Sequence, residues 1–230
     1  MPDITIQGPD GEFGAYLALP ASTPAPGIVV AQEIFGVNKV MRDICDGLAS
    51  EGFVACCPDI FWRIEPGIQL TDQTQAEWDR AFELFNLFNV DKGIEDLKAA
   101  LAELRGHEAC NGKVGDVGYC LGGKLAYLMA ARSDADCSVS YYGVGLDELV
   151  PEAQNINNPL LLHVASEDGF FPKDAQARLA DGLKGHPQCT LQVYEGNDHA
   201  FARVGGEHYD AAAAKLANDR SLAFFRENLS

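Results

Sequence analysis

The sequence predicts an α/β fold, a mostly parallel central sheet with helices on both faces. Three observations predict it. Short apolar runs rich in β-branched residues alternate with longer segments of helical periodicity along the 230 residues. A glycine-flanked cysteine, Gly118-Tyr119-Cys120-Leu121-Gly122, stands between one such run and a helix-like stretch. Asp168 and His199 fall just past two other runs, and catalytic groups collect at the carboxyl ends of strands in such sheets. At this length one domain, 1–230, is expected.

The elements follow in order. Thr5-Ile6 and Phe13 to Leu19 read as short strands around the turn Pro9-Asp10-Gly11. Gly27 to Ala31 is a continuous apolar run, as in a buried central strand. Asn38 to Ser50 has helical spacing at Val40, Ile44, Cys45 and Leu48, and Phe53 to Cys57 is a strand ended by Pro58. Thr74 to Phe88 and Val90 to Arg105 read as helices, the second with apolar residues at Ile94, Leu97, Ala100, Leu101 and Leu104. Lys113 to Val117 is a strand, and Gly123 to Ala131 a helix. Ser138 to Tyr142 and Leu160 to Val164 are strands, Lys173 to Leu183 a helix, and Thr190 to Tyr194 a strand. Tyr209 to Leu229 closes the chain as a long helix. There is no internal repeat and no low-complexity linker.

Composition narrows the function classes. The apolar fraction, 47%, suits a globular core. No run approaches a transmembrane helix in length. Met1-Pro2-Asp3-Ile4 begins no basic region followed by an apolar stretch, so no signal peptide is expected and the cytoplasm is the expected location. A net charge of -17 makes nucleic acid and anionic membranes poor partners. It also means that specific arginines must overcome the global field if the substrate is an anion. The seven cysteines, Cys45, Cys56, Cys57, Cys110, Cys120, Cys137 and Cys189, form no C-x-x-C pair. Neither a zinc ribbon nor a thioredoxin motif is expected, and most of these thiols read as small core hydrophobes. Cys56 and Cys57 fit two core thiols on opposite faces of one strand. No metal and no cofactor are expected, because the histidines and cysteines lack ligand spacing.

Gly-x-Cys-x-Gly between a strand and a helix is the pattern of a nucleophile elbow, the tight turn of the α/β-hydrolase fold, with cysteine in the usual place of serine. The turn leaves no room for bulk two residues either side of the nucleophile. A thiol at a helix N-terminus faces unpaired N–H groups and the positive end of a dipole, both of which favour thiolate. An elbow also needs a base, and a carboxylate to orient it, in the chain order nucleophile, acid, histidine. Asp168 in Ser166-Glu167-Asp168-Gly169 and His199 in Gly196-Asn197-Asp198-His199 supply that order. His163 lies inside a strand and reads as a core histidine. His107, His186 and His208 lie near exposed connections. Glu167 could replace Asp168, but Gly169 suits a sharp loop presenting Asp168. Asp198 is too close to His199 in sequence to look like its orienting acid. In this reading His199 draws the proton from Cys120, Asp168 fixes the imidazole, and the thiolate attacks an ester or lactone carbonyl. The oxyanion is met by the N–H of Leu121 and by a second donor in Glu33-Ile34-Phe35-Gly36, assigned to Ile34. Each donor is typically worth roughly 3 kcal/mol.

These residues resemble the dienelactone hydrolase family, the carboxymethylenebutenolidases. The similarity runs through Val30-Ala31-Gln32-Glu33-Ile34-Phe35-Gly36-Val37-Asn38, Cys57-Pro58-Asp59 and Asn111-Gly112-Lys113-Val114-Gly115. It continues through Val117 to Gly123, Tyr141-Tyr142-Gly143-Val144-Gly145-Leu146 and His199-Ala200-Phe201-Ala202-Arg203. The resemblance implies a monomeric cysteine hydrolase that opens a dienelactone to maleylacetate in aromatic catabolism, with Cys120, Asp168 and His199 as its triad. It implies that Glu33 is associated with the resting thiol and helps generate the thiolate; the competing reading of Glu33 is a solvated loop carboxylate. It implies that Arg203 grips the substrate carboxylate. A second family arginine falls at Trp78. Arg80 lies two residues on, about 200° round the helix, and Phe82 stands where a tyrosine is expected. These departures bear on the substrate: Trp78 lines a pocket for a less charged or larger lactone, or belongs to the core. Two other classes compete with the small-molecule lactone or ester hydrolase. One is a non-catalytic binding module on the same fold, though such proteins usually lack a triad member. The other is a thiol redox protein using Cys120, which would need a resolving cysteine.

Overall fold

Eight strands and six α-helices alternate along residues 4–230, which the structure, a computed structural model, describes. Met1, Pro2 and Asp3, on which the expectation about a leader segment rests, lie outside the described residues. The strands form a mixed sheet, and the chain divides into two units, the first ending at Asp116 and the second beginning at Val117.

The first unit holds β1 (Ile4–Gly8), β2 (Gly11–Ala18), β3 (Ala25–Ala31), β4 (Val54–Pro58) and the start of β5 (Cys110–Tyr119), in the order β1-β2-β4-β3-β5. β1 and β2 form an antiparallel hairpin, β2 runs antiparallel to β4, and β3 runs parallel to β4. β3 is the buried central strand its composition predicts, with Ile28, Val29 and Val30 fully enclosed. Both Cys56 and Cys57 in β4 are buried, as is Cys45. Burial, then the neighbouring thiols, pushes the Cys45 and Cys56 thiols well above their usual pKa, so they sit in the core as protonated, unreactive groups.

Three helices complete this unit, each started by a polar cap. Asn38 caps α1 (Lys39–Ser50), accepting from the Met41 amide at 3.2 Å. Thr74 caps α2 (Gln75–Leu87) in a capping box with Glu77. Asn89 caps α3 (Val90–Gly106). The loop after β3 is pinned by backbone. Leu70 N–H donates to Phe35 O at 2.8 Å, and Gly36 has φ +80° with the Ile68 carbonyl where a Cβ would stand, 2.0 Å from it. Only glycine fits there.

The second unit holds the end of β5, then β6 (Ser138–Tyr141), β7 (Leu160–Ala165) and β8 (Cys189–Tyr194), in the order β5-β6-β7-β8, with β6, β7 and β8 parallel. α4 (Leu121–Arg132), α5 (Lys173–Gly182) and α6 (Ala211–Asn228) pack around them. Leu160, Leu162 and Val164 of β7 share one apolar cluster with Tyr127, Ala175 and Leu179. The intervening His163 joins a polar layer with Ser221 of α6, as the period of two requires.

Strand ends differ from the sequence reading by one to three residues, β4 running from Val54 through Pro58 instead of being ended by that proline, and two of the differences have a visible cause. β5 begins at Cys110 rather than Lys113, its polar first half being exposed or half-exposed. β6 stops at Tyr141 because Tyr142 turns to φ 37°, outside extended backbone. A 3₁₀ segment, Asp147–Asn155, with Pro151 inside it, falls in a stretch to which the sequence reading gave no element.

Candidate active site

The second unit builds its site from three turns, which follow β5, β7 and β8. Cys120 sits between β5 and α4 at φ 56°, ψ -113°, a left-handed backbone that aims its side chain away from strand and helix alike. A Cβ on Gly118 would lie 1.9 Å from the Gly122 carbonyl oxygen, and one on Gly123 2.5 Å from the Tyr141 carbonyl oxygen. These contacts are the steric reason for the glycines. The Cys120 N–H donates to Tyr141 O at 3.1 Å, tying the elbow to the end of β6. Leu121 is the first residue of α4, where backbone N–H groups have no acceptor within the helix.

Asp168 follows β7 and is 4% exposed. Its Oδ1 accepts from the amides of Phe170 at 2.8 Å and Phe171 at 3.1 Å. Both its oxygens lie against His199 Nδ1, at 3.0 and 2.9 Å. His199 follows β8 and is 5% exposed. Its imidazole is also hydrogen-bonded to the Cys120 thiol. Burial works to lower the imidazole pKa, but the charge of the Cys120 thiolate, with the bonds to Asp168 and Cys120, raises it to about 10. Cys120, His199 and Asp168 are thus linked in one chain of contacts, an arrangement able to hold a thiolate against an imidazolium.

The rejected alternatives are occupied elsewhere. Glu167 pairs with Lys173 at 2.8 Å, on the surface. His163 is buried, with Nδ1 2.8 Å from the Tyr194 hydroxyl and Nε2 2.9 Å from Ser221 Oγ. Burial, then the charge of Arg220, lowers its pKa to about 3. His107 Nδ1 accepts from the Ala109 amide and His186 Nδ1 from the Gln188 amide, both structural bonds.

Sequence reasoning passed over Asp198, which acts on backbone. Its Oδ1 accepts from Gly169 N at 3.0 Å and from His199 N at 2.6 Å, joining the loop of the acid to that of the base. Burial opposes its charge, but these amides outweigh it and hold its pKa below the usual carboxylate value. An aspartate just before the histidine, on a turn, was the available signal. Two rings flanking the imidazole were also unforeseen, Tyr142 with centroids 5.2 Å apart and Phe170 with centroids 4.9 Å apart.

The remaining candidates fall as follows. Arg203 is in the second unit, half-buried, in the turn after His199, its amide donating to Ala200 O at 2.9 Å. Glu33, Ile34, Trp78 and Arg80 belong to the first unit. Glu33 is 2% exposed, so it is no solvated loop carboxylate. Ile34 is buried in the pinned loop after β3. Trp78 stacks on Phe82 and sets its edge against Phe35. The Arg80 guanidinium is held by Glu65 and Glu83. Among the described residues no group of three or more acidic, histidine or cysteine side chains could hold a metal ion. None of their helices is long and apolar enough to cross a membrane.

A sequence model of the dienelactone hydrolase family matches residues 13–229, and so extends through both units. A carboxymethylenebutenolidase of Pseudomonas putida is 42% identical over 222 residues, 96% of this chain and 94% of that one. A protein provisionally named a carboxymethylenebutenolidase in Azospirillum brasilense is 51% identical over 241 residues, covering 100% of both. A crystal structure of a provisionally named dienelactone hydrolase from Klebsiella pneumoniae matches with a TM-score of 0.84 at 26% identity, over 97% of this chain and 96% of that one. That of a dienelactone hydrolase from Anabaena variabilis matches with a TM-score of 0.72 at 16% identity, over 99% and 97%, a likeness of fold alone.

Proposed function

The chain belongs to the dienelactone hydrolase family, and from that premise we propose that it is a cysteine-dependent hydrolase that opens a dienelactone to maleylacetate through a thioacyl-enzyme. The observation that carries this reading is the linked set Cys120, His199 and Asp168, with His199 raised to about 10. The Cys120 thiolate attacks the lactone carbonyl carbon and forms a C–S bond, and the carbonyl oxygen gains negative charge. The N–H of Leu121 meets that charge. As the oxyanion collapses, the ring C–O bond breaks and the imidazolium of His199 gives its proton to the leaving oxygen. His199, now neutral, takes a proton from water as that water attacks the thioester. The C–S bond then breaks, and thiolate and imidazolium are restored. Asp168 keeps the Nδ1 proton and the ring orientation throughout.

The proposal also takes two roles from the first unit: the Ile34 N–H as second oxyanion donor, and Glu33, as the resemblance implies, as a carboxylate that helps His199 generate the thiolate from the resting thiol. Arg203 is proposed as the grip on the substrate carboxylate. Arg80 could join it only by leaving Glu65 and Glu83. The aromatic stack of Trp78 on Phe82, where the resemblance implies an arginine and a tyrosine, favours a second reading within the same chemistry: an esterase or lactonase for a less anionic substrate. Hydrolysis of cis- and trans-dienelactone against a neutral aryl ester, with Cys120→Ala as control, separates the readings. Preference for the anionic lactone supports the first, and activity confined to the neutral ester supports the second. Turnover of either by Cys120→Ala, about 10⁴-fold reduced or more on the proposal, would sink both if it stayed at the wild-type rate.

A further inference from the structure

Among the described residues three non-glycines have positive φ: Cys120 at 56°, Tyr142 at 37° and Ala200 at 63°. Such backbone is unfavourable for a residue with a Cβ and persists only where the surroundings enforce it. Cys120 is the proposed nucleophile and Ala200 follows the base. Tyr142 has no role so far, yet its ring meets the proposed base and the residue before the proposed nucleophile. Its N–H donates to His163 O at 2.8 Å, which fixes the turn after β6. Its ring centroid lies 6.1 Å from that of Tyr119, the residue before the nucleophile, and 5.6 Å from that of Phe201, two residues after the base. It meets the imidazole of His199 itself at 5.2 Å and 62°. Phe170 meets the same imidazole at 4.9 Å and 72°. The next residue, Gly143, has no space for a side chain, since a Cβ there would lie 2.9 Å from the Gly123 backbone. The turn is therefore wedged against the elbow on one side and the base on the other.

Asp168 and Cys120 hold His199 at its ring nitrogens, contacts that leave the ring plane able to turn about the line between them. Edge-to-face rings restrict such turning. We propose that Tyr142 is a positioning residue for His199: its strained backbone aims the ring at the imidazole and fixes the plane in which Nε2 meets the Cys120 thiol. The inference rests on the triad reading.

Two variants separate the ring from the strain. Tyr142→Gly relieves the backbone and removes the ring; Tyr142→Phe keeps the ring. Readouts are kcat and KM on whichever ester or lactone the wild type turns over, and the titration of the His199 imidazole by NMR. The charged and titratable groups at His199 are Cys120, Asp168, Asp198 and His208, and all four are left in place. Tyr142→Phe is expected to keep kcat within about threefold. Tyr142→Gly is expected to lose about 10- to 100-fold in kcat, with KM changed less than about threefold and the His199 titration displaced from the wild-type position. Tyr142→Asn, which also tolerates left-handed backbone, gives the same result if the glycine variant folds poorly. A folded ringless variant with wild-type kcat and titration overturns the inference, as does a Tyr142→Phe as impaired as Tyr142→Gly. If Cys120→Ala abolishes turnover while Tyr142→Gly does not, only the positioning role fails. If Cys120→Ala keeps turnover, the triad reading fails and the inference falls with it.

Discussion

Two buried histidines of the second unit, His199 and His163, begin alike and end about seven pKa units apart, one raised to about 10 and the other lowered to about 3. Both lie among aromatic rings: His199 beside Tyr142 and Phe170, His163 beside Tyr141 and Tyr194. Both have hydrogen-bond partners at their ring nitrogens. The partners differ in charge. His199 faces the acidic side chains of Asp168 and Cys120, whereas His163 faces two hydroxyls, with Arg220 beyond them. Burial works against the charged form of both rings. Only where acidic groups are close enough to outweigh it is the buried ring's charged form favoured, as the proposed role of His199 requires.

The sharpest way to break this contrast is to remove charge from His199 without changing shape. Asp168→Asn is expected to cost about 10² to 10⁴ in kcat and to move the His199 titration down from about 10. Unchanged kcat in a folded variant would separate the imidazole from the chemistry.

Next in size is the opposite response of the two rings to acid. His163 is neutral when folded and binds its proton more readily when unfolded, so its contribution to stability is present above the unfolded pKa, about 6.5, and is lost as pH falls toward about 3. His199 has the reverse sign, contributing fully below about 6.5 and losing its contribution as pH rises through about 10. Urea unfolding from pH 7 down to pH 4 is therefore expected to show falling stability that flattens in His163→Gln. An identical acid slope in that variant would refute the assignment.

The smallest expected effect lies in the hydroxyl layer. Ser221 Oγ is shared by His163 at 2.9 Å and the Tyr141 hydroxyl at 2.7 Å. Ser221→Ala strands one polar contact of each, at a cost of about 1–3 kcal/mol, with kcat within about twofold of wild type. A large loss of kcat would show that the layer under the sheet reaches the base.

The contrast also marks what was legible in the sequence. Cys120, Asp168 and His199 could be proposed from residue type and position, because an elbow demands glycines and the other two sit past strand ends. Most strands and helices were legible from the period of their apolar residues, while the caps at Asn38 and Thr74 came only with the structure. Tyr142 could not be read as a wedge, since its φ and ring contacts arise from tertiary packing around it. The 3₁₀ segment was hidden by mixed polarity around Pro151. Nor did Asp198 announce itself, since its partners are amides 29 residues back and one residue on.

That last carboxylate has a consequence for motion. Asp198 bonds the amide of Gly169 in one loop and of His199 in the other. Beside it Glu167 N–H donates to Asn197 O at 2.9 Å, and Gly196 N–H to Ser166 Oγ at 2.8 Å. The two loops are laced together, and bonds shared in this way are expected to make them open as a single cooperative unit. Amide hydrogens at Glu167, Gly169, Gly196 and His199 should exchange with solvent at one shared opening free energy, and the acid and the base leave their places together.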